Sequence, residues 1–166
     1  MNQYQNSYIG LKIDFPDNWH FSYWGNRNTV LANPEAHQEN FEDLPSEKSP
    51  QKILVTSLSR FEKGPPLLKG SLQLVALFRP NGIDLAFEIP SNESEISRNH
   101  GNSVVAGKST TFLHLEAQGE GYIRYTRYYY WQFRSNIWLG CVISGSSHEK
   151  FNEALIILEN VESVNL

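Results

Sequence analysis

Alternating apolar and polar positions predict that most of this chain forms β-strands. Residues 8–15 alternate strictly, with the apolar positions at Ile9, Leu11, Ile13 and Phe15, which is the period-two pattern of a half-buried strand. Aromatic residues at 19–24 and the β-prone residues 29–31 predict two further short strands. Residues 53–61 and 72–78 predict two more, and the second of these is apolar on both faces.

The segment after residue 78 begins with a turn signal. Pro80-Asn81-Gly82 contains Asn-Gly, the strongest short signal for a β-hairpin, and so predicts that the chain reverses into a paired strand. Residues 83–89 fit either that strand or a short helix. Residues 90–102 are polar and predict a mobile connection.

The last third of the chain predicts a sheet followed by a helix. Residues 112–116, 122–133 and 137–144 have strand patterns, and the short connection between the last two predicts that they pair antiparallel. Ser146 and Glu149 have the spacing of a capping box at the start of a helix. Apolar residues recur at helical spacing behind that box. We therefore expect a helix over about 147–160 that packs on the sheet, and a docking tail or edge strand at the C-terminus.

Composition limits the class of protein. The chain has 166 residues, 40% of them apolar, which is enough for one compact domain without a disulfide or metal to stabilise it. A net charge of −4 argues against a general nucleic-acid binder. The apolar runs are far shorter than the roughly 20 residues of a membrane span. The prediction is a single soluble domain over 1–166 with a long acidic loop at about 33–50.

Three stretches resemble the PsbP-like superfamily, which includes the extrinsic PsbP subunits of photosystem II and the Ran-interacting Mog proteins. They are the strand and Phe-Pro-x-x-Trp turn at 9–19, Val105-Ala106-Gly107-Lys108-Ser109, and the closing segment 122–164. The resemblance implies an α+β fold: an α/β/α sandwich with a central antiparallel sheet and a C-terminal helix packed on it. It also implies an accessory or adaptor role. No functional residue of either branch matches a position in this chain.

Residues that carry catalytic or metal chemistry are sparse. The five histidines lack metal-site spacing, and Cys141, the single cysteine, lies in an apolar strand, where burial disfavours its thiolate. Nucleotide-binding and acyl-transfer motifs are absent from the sequence. We therefore predict no catalytic residue, no metal site and no cofactor.

A row of aromatic and basic residues on the strand at 122–133 is the predicted partner-binding surface. Residues two apart share a face of a strand, and tyrosine and arginine are enriched in interface hot spots. The row consists of Arg124, Tyr128, Tyr130 and Arg134. Because two arginines need partners if they are buried, the row is either exposed or covered by an element that carries acids. The acidic loop is the second candidate surface.

These features favour a non-catalytic protein-binding domain, such as an adaptor, an assembly factor, or a bacterial immunity or chaperone protein. The partner is another protein of unknown identity, and a homodimer is compatible with the sequence. The alternative is a small-molecule or lipid-binding module whose aromatic residues line a pocket, and a hydrolytic enzyme ranks third. The expected location is cytoplasmic if Met1 is the native start and exported if a signal has been removed ahead of it.

Overall fold

A computed structural model describes residues 1–6, 9–23 and 44–164 of the chain. Within them the chain forms ten strands and two helices. The strands are β1 (Asn2–Asn6), β2 (Leu11–Phe15), β3 (His20–Tyr23), β4 (Ile53–Phe61), β5 (Leu68–Phe78), β6 (Glu95–Val105), β7 (Lys108–Gln118), β8 (Ile123–Arg134), β9 (Ile137–Gly145) and β10 (Glu162–Ser163). The helices are α1 (Leu85–Glu88), between β5 and β6, and α2 (His148–Glu159), after β9.

Two antiparallel sheets organise these elements. The larger sheet has seven strands in the order β3, β4, β5, β9, β8, β7, β6, and the smaller has the order β1, β2, β10. Strands β5 and β9 pair without interruption from Gly70 opposite Gly145 to Phe78 opposite Ile137, so two strands distant in sequence form the centre of the larger sheet. Its two edges are β3 and β6.

The helix face of the larger sheet, the side on which α2 lies, carries the main core. Phe151, Ala154, Ile157 and Leu158 of α2 are buried with apolar residues of β5, β8 and β9 and of the smaller sheet. Cys141 is fully buried in this core, as predicted. Trp19 is also buried, with 3% of its surface exposed. Its ring would lie 3.0 Å from a Cβ at position 70, so a glycine is needed there for the close approach.

The opposite face carries a smaller core. Val75, Leu77, Leu113, Leu115 and Tyr130 of the sheet pack with Ile89, which follows α1. Part of this face is thus covered by the four residues of α1 and the chain around them. The α+β fold with a mainly antiparallel sheet and a C-terminal helix on it is therefore confirmed, and the cover on the second side of the predicted sandwich is short.

Helix α2 matches the predicted range but begins differently. Ser147, not Ser146, is the N-cap, and its hydroxyl accepts a hydrogen bond from the backbone N–H of Lys150 at 3.2 Å. The capping box of Ser146 and Glu149 was therefore wrong by one residue, because Ser147 already provides the oxygen that the first turn requires.

Several other segments differ from the prediction. The turn Pro80-Asn81-Gly82 leads into α1 rather than a hairpin, because the Asp84 side chain caps the backbone N–H of Ala86 and starts a helix. The supposed mobile segment 90–102 contains most of β6, an eleven-residue strand. The β6 and β7 hairpin turns at Ala106 and Gly107, which both have positive φ (51° and 77°), as a two-residue type I′ turn requires. Strand β1 was not predicted, Trp24 and residues 29–31 lie outside the described residues, and the C-terminal edge strand is present as β10.

Candidate functional site

Strand β8 contains all four residues of the predicted partner-binding row, and the structure separates them. Tyr130 is buried, Arg124 and Tyr128 are half-buried, and Arg134 is exposed. A β-bulge between Gln132 and Arg134 interrupts the pairing with β9, and a bulge breaks the strict alternation of side chains on which the row depends. The row is therefore not one continuous exposed surface.

Tyr130 belongs to the smaller core on the opposite face of the sheet. Only 6% of it is exposed, and it packs with Val75, Leu77 and Ile89. Burial raises the pKa of its hydroxyl, so that the side chain is neutral under ordinary conditions. Tyr130 therefore contributes to the packing of this core and is covered by the residues around α1. A surface that needs it exposed is contradicted by this burial.

Tyr128 lies at the margin of the same core. It is half-buried and packs against the smaller core from its edge. Burial raises the pKa of its hydroxyl, while the nearby Arg98 has a smaller lowering effect. Tyr128 therefore lies between the buried and the solvent-accessible parts of the opposite face.

Arg124, on the same face, is weakly held. Its Nη2 donates to the backbone carbonyl of Leu68 at 3.3 Å, and the guanidinium lies 5.3 Å from the ring centre of Tyr122. Its Nη1 is buried without a hydrogen-bond acceptor among the described residues. A buried donor that lacks an acceptor destabilises the fold by roughly 1–3 kcal/mol. Arg124 is thus a cation whose hydrogen bonding is incomplete inside the chain.

Arg134 lies at the exposed end of β8. Its guanidinium is 4.7 Å from the ring centre of Phe133, a cation–π distance. Arg134 is exposed whereas Tyr130 is buried, and the bulge lies between them. The two residues therefore do not share one accessible surface.

The helix face of β8 carries a cluster that the sequence analysis missed. Arg127 lies between two aromatic rings, 4.5 Å from the ring centre of Phe112 and 5.3 Å from that of Phe151. Its Nε donates to Nδ1 of His114 at 3.2 Å, and its Nη1 donates to the Tyr129 hydroxyl at 3.2 Å. We call these five residues the Arg127 cluster. Cation–π contacts with two rings and two hydrogen bonds fix the position of the guanidinium.

His114, the histidine of this cluster, is favoured in its neutral form. Burial and the adjacent Arg127 lower the pKa of His114; His148 lowers it further and Glu116 opposes the shift. A neutral His114 is also what the hydrogen bond requires, because only an unprotonated Nδ1 accepts from Arg127. His148, at the start of α2, stacks on Tyr125 with ring centres 4.1 Å apart.

The pairing of arginines distinguishes β8 from the rest of the described chain. Arg60 pairs with Glu153, Arg79 with Glu88, and Arg98 with Glu95. Within the described residues, Arg124 and Arg127 form no ion pair with a carboxylate. One signal was available in the sequence: Arg127 alternates with Tyr125 and Tyr129, so it shares the face of β8 that contributes to the main core.

The structure adds little information about the acidic loop. In the acidic loop, Glu35, Glu39, Glu42 and Asp43 lie outside the described residues, and Glu47 is exposed. Within residues 1–6, 9–23 and 44–164, no three His, Cys, Asp or Glu side chains come together as metal ligands would. Over the same residues, no helix has the length and apolarity needed to cross a bilayer.

A groove bears on the ligand-binding alternative. It has a volume of about 550 Å³ and lies beside α2, where Trp19 and Ile157 meet the charged side chains Arg60 and Glu153. Arg60 Nη1 donates to Glu153 Oε1 at 2.6 Å. Most large aromatics lie elsewhere, close-packed in the core: Tyr4, Phe15, Phe21, Tyr129 and Trp131. Trp19 is the one aromatic side chain among the described residues that line the groove, so the groove is not the aromatic-lined pocket that the alternative predicts.

Comparison with known proteins shows the fold. No family model matches this chain, and no curated protein matches it. The crystal structure of LpqN from Mycobacterium tuberculosis, described as involved in cell envelope biogenesis, is similar over 93% of this chain and 83% of LpqN, with 13% identity and a TM-score of 0.53. A protein from Bacteroides thetaiotaomicron VPI-5482 covers 93% of this chain at 12% identity with a TM-score of 0.43, and this chain spans 45% of its length.

Proposed function

We propose that this domain is a non-catalytic protein-binding module that recognises an acidic segment of its partner, with Arg127 as the central contact. The observation that carries the proposal is the rigid guanidinium of Arg127, which is held between Phe112 and Phe151 and has no carboxylate partner within the described residues. Arginine with aromatic neighbours is a typical hot-spot composition. A preorganised side chain also loses less entropy on binding.

Arg124 on the opposite face is the second contact of the proposed function. Among the residues of the predicted row, Arg124 is the one whose Nη1 is buried without a hydrogen-bond acceptor among the described residues. Arg134 contributes an exposed charge, whereas Tyr128 and Tyr130 support the strand from the smaller core. The predicted row is therefore kept as a proposal in a reduced form, with its arginines as the contacts.

The ligand-binding alternative has one supporting observation, the groove beside α2. Oε2 of Glu153 is buried there without a hydrogen-bond partner among the described residues. A small cationic ligand is the class that such an oxygen favours. The alternative predicts that Ile156→Trp, which would narrow the groove from its exposed side, leaves protein capture unchanged and removes binding of amine-bearing ligands.

We further propose that the domain belongs to the PsbP-like superfamily and acts at the cell envelope as an exported accessory protein. The order of elements, from the Trp19 turn to the C-terminal helix, supports the first part. The description of LpqN supports the second. Fractionation of native cells with an antibody against the domain checks the location, and recovery in the cytoplasm alone would contradict export.

The test of the proposed function compares three variants that each remove one positive charge. Purified wild type, Arg127→Gln, Arg124→Gln and Arg98→Gln are titrated with acidic peptides and with matched peptides that carry Gln and Asn in place of Glu and Asp. We expect Arg127→Gln to weaken acidic-peptide binding by at least tenfold, equivalent to about 1.4 kcal/mol. Arg124→Gln should have a smaller effect.

Arg98→Gln is the matched control, because the charge of Arg98 is already paired with Glu95 at 2.7 Å. If Arg98→Gln weakens binding as much as Arg127→Gln, the attraction is general electrostatics and the proposed contact is wrong. Equal binding of the acidic and the neutral peptides would also contradict the proposal. Capture from native lysate with the same variants then identifies the partner.

A further inference from the structure

Strand β6 is a long and exposed edge of the seven-stranded sheet. It has eleven residues and pairs with β7 on one side, and no described strand pairs with its other side. Alternate backbone N–H and C=O groups along such an edge point outward and are free to pair with another strand. The opposite edge, β3, has four residues within the described part of the chain, which stops at Tyr23 on this side. Among the described strands, β6 therefore offers the longer edge.

The sequence of β6 carries few of the features that usually prevent pairing at an edge. It contains neither lysine nor proline, the residues most often used for that purpose. Glu95 and Arg98 form an ion pair within the strand, so neither charge would face an added strand unpaired. A bulge between Glu95 and Ser97 affects only the first residues. From Ser97 to Val105 the strand is regular.

Two large apolar side chains are exposed at the ends of this strand. Ile96 is 55% exposed and Val104 is 67% exposed, and they lie symmetrically about His100, the middle residue of β6. If a second β6 pairs antiparallel about a two-fold axis at His100, Ile96 of each copy lies opposite Val104 of the other. Ser97 lies opposite Ser103, and Arg98 lies opposite Asn102. The alignment that overlaps all of β6 is thus also the one that places Ile96, which the bulge leaves without a partner on β7, at the level of Val104.

We infer that β6 is a homodimer interface, in which a second copy of this chain adds its own β6 to the edge with His100 on the two-fold axis. The inference is independent of the proposed partner site on β8. Neighbouring alignments are less favourable. An axis at Arg98 places two arginines opposite each other, and like charges directly opposite each other destabilise paired strands. An axis at Asn99 or at Gly101 no longer places Ile96 opposite Val104.

This arrangement has a definite geometry. Two-fold pairing makes the interface isologous, so each contact occurs twice. The two larger sheets join into one continuous sheet, and both α2 helices lie on the same side of it. The Arg127 clusters of the two copies then face the same direction, which would present two acid-binding sites to one partner.

Molecular mass measured against concentration tests the dimer. Analytical ultracentrifugation of the full chain from about 1 µM to about 1 mM, a range that covers association free energies of roughly 4–8 kcal/mol, should show a reversible monomer and dimer. His100→Lys places two like charges on the axis and should shift the dissociation constant upward by at least tenfold. His20→Lys, at an exposed residue of the other edge, is the matched control and should leave it unchanged.

Cysteine cross-linking tests the register. Residues directly opposite in an antiparallel pair have Cα atoms about 4.5–5.5 Å apart, which is within the reach of a disulfide. Cys141 is fully buried and provides no competing surface thiol. His100→Cys should therefore cross-link to itself on mild oxidation. Ile96→Cys should cross-link only when it is mixed with Val104→Cys.

A chain that stays monomeric throughout this concentration range overturns the inference. So does a dimer that His20→Lys weakens as much as His100→Lys does. Cross-linking of Ile96→Cys with itself would show that a different register is used, and the proposed axis would then be wrong. Far-UV circular dichroism of each variant confirms that the sheet is intact, so that loss of the dimer is not mistaken for unfolding.

Discussion

The two faces of the seven-stranded sheet are covered by elements of very different size. The helix face is covered by α2 and by the three-stranded sheet, and its core extends from Tyr4 to Val161. The opposite face has a core of six buried residues beneath the segment around α1. Strands β5 and β8 contribute buried residues to both. The comparison shows that a sheet can bury aromatic residues on both faces while only one face has a deep core, and the predictions below measure the difference.

The largest loss of stability is expected at Trp19 on the helix face. Trp19→Ala removes a nearly buried ring that packs closely over Gly70, and large aromatic cavities cost about 3–5 kcal/mol. Urea unfolding followed by circular dichroism measures the change. A variant as stable as the wild type would show that the packing of Trp19 contributes nothing.

Two leucines on the same strand compare the faces directly. Leu72 is buried on the helix face and Leu77 is buried on the opposite face, both of them almost completely. We expect Leu72→Ala to cost about 3–5 kcal/mol and Leu77→Ala about 2–3 kcal/mol, because a short covering segment can collapse into the cavity more readily than a helix and a second sheet. Denaturant titration of both variants under identical conditions makes the measurement. Equal losses would show that the two covers are equally rigid.

A single ion pair attaches the cover of the opposite face. Arg79, just after β5, makes a bidentate contact with Glu88 of α1, and Nη2 of Arg79 lies 3.1 Å from Oε2 of Glu88. We expect Arg79→Met to destabilise the fold by about 1–2 kcal/mol, less than a cavity, because the pair is only partly buried. Hydrogen exchange should increase mainly at residues 85–89. A uniform increase over the whole chain would mean that α1 does not open separately.

The same comparison explains how much of the structure could be predicted from sequence. Strand β2, whose apolar positions alternate strictly, was predicted because one deep core determines its pattern: Leu11, Ile13 and Phe15 are buried in the main core. Strand β6 was missed because an exposed edge places polar residues on both faces, so no periodicity remains. Arg127 was missed because the sequence pattern placed the partner-binding row on the other face of the same strand. Its contacts with Phe112 and Phe151 arise only when β7, β8 and α2 come together.

The smallest effect on stability is expected at His114, which accepts a hydrogen bond from Arg127 on the helix face. Burial, then Arg127, hold the pKa of His114 below its ordinary value. The folded chain therefore binds fewer protons than the unfolded chain just below the ordinary histidine pKa of about 6.5, and stability falls as the pH decreases through that value. The loss is complete once the pH lies below the lowered pKa, where His114 is protonated in both states. Above pH 6.5 the full stability is present.

Replacing His114 isolates this contribution. His114→Gln keeps a hydrogen-bond acceptor for Arg127 but does not titrate, so its free energy of unfolding should change less between pH 7.5 and pH 5 than that of the wild type, as measured by urea titration at each pH. His20→Gln, at an exposed histidine of β3 away from the proposed dimer axis, is the matched control for the substitution itself. If His114→Gln loses as much stability in acid as the wild type does, the hydrogen bond between Arg127 and His114 does not couple the cluster to pH. The Arg127 cluster would then keep its geometry through aromatic stacking and the hydrogen bond to Tyr129.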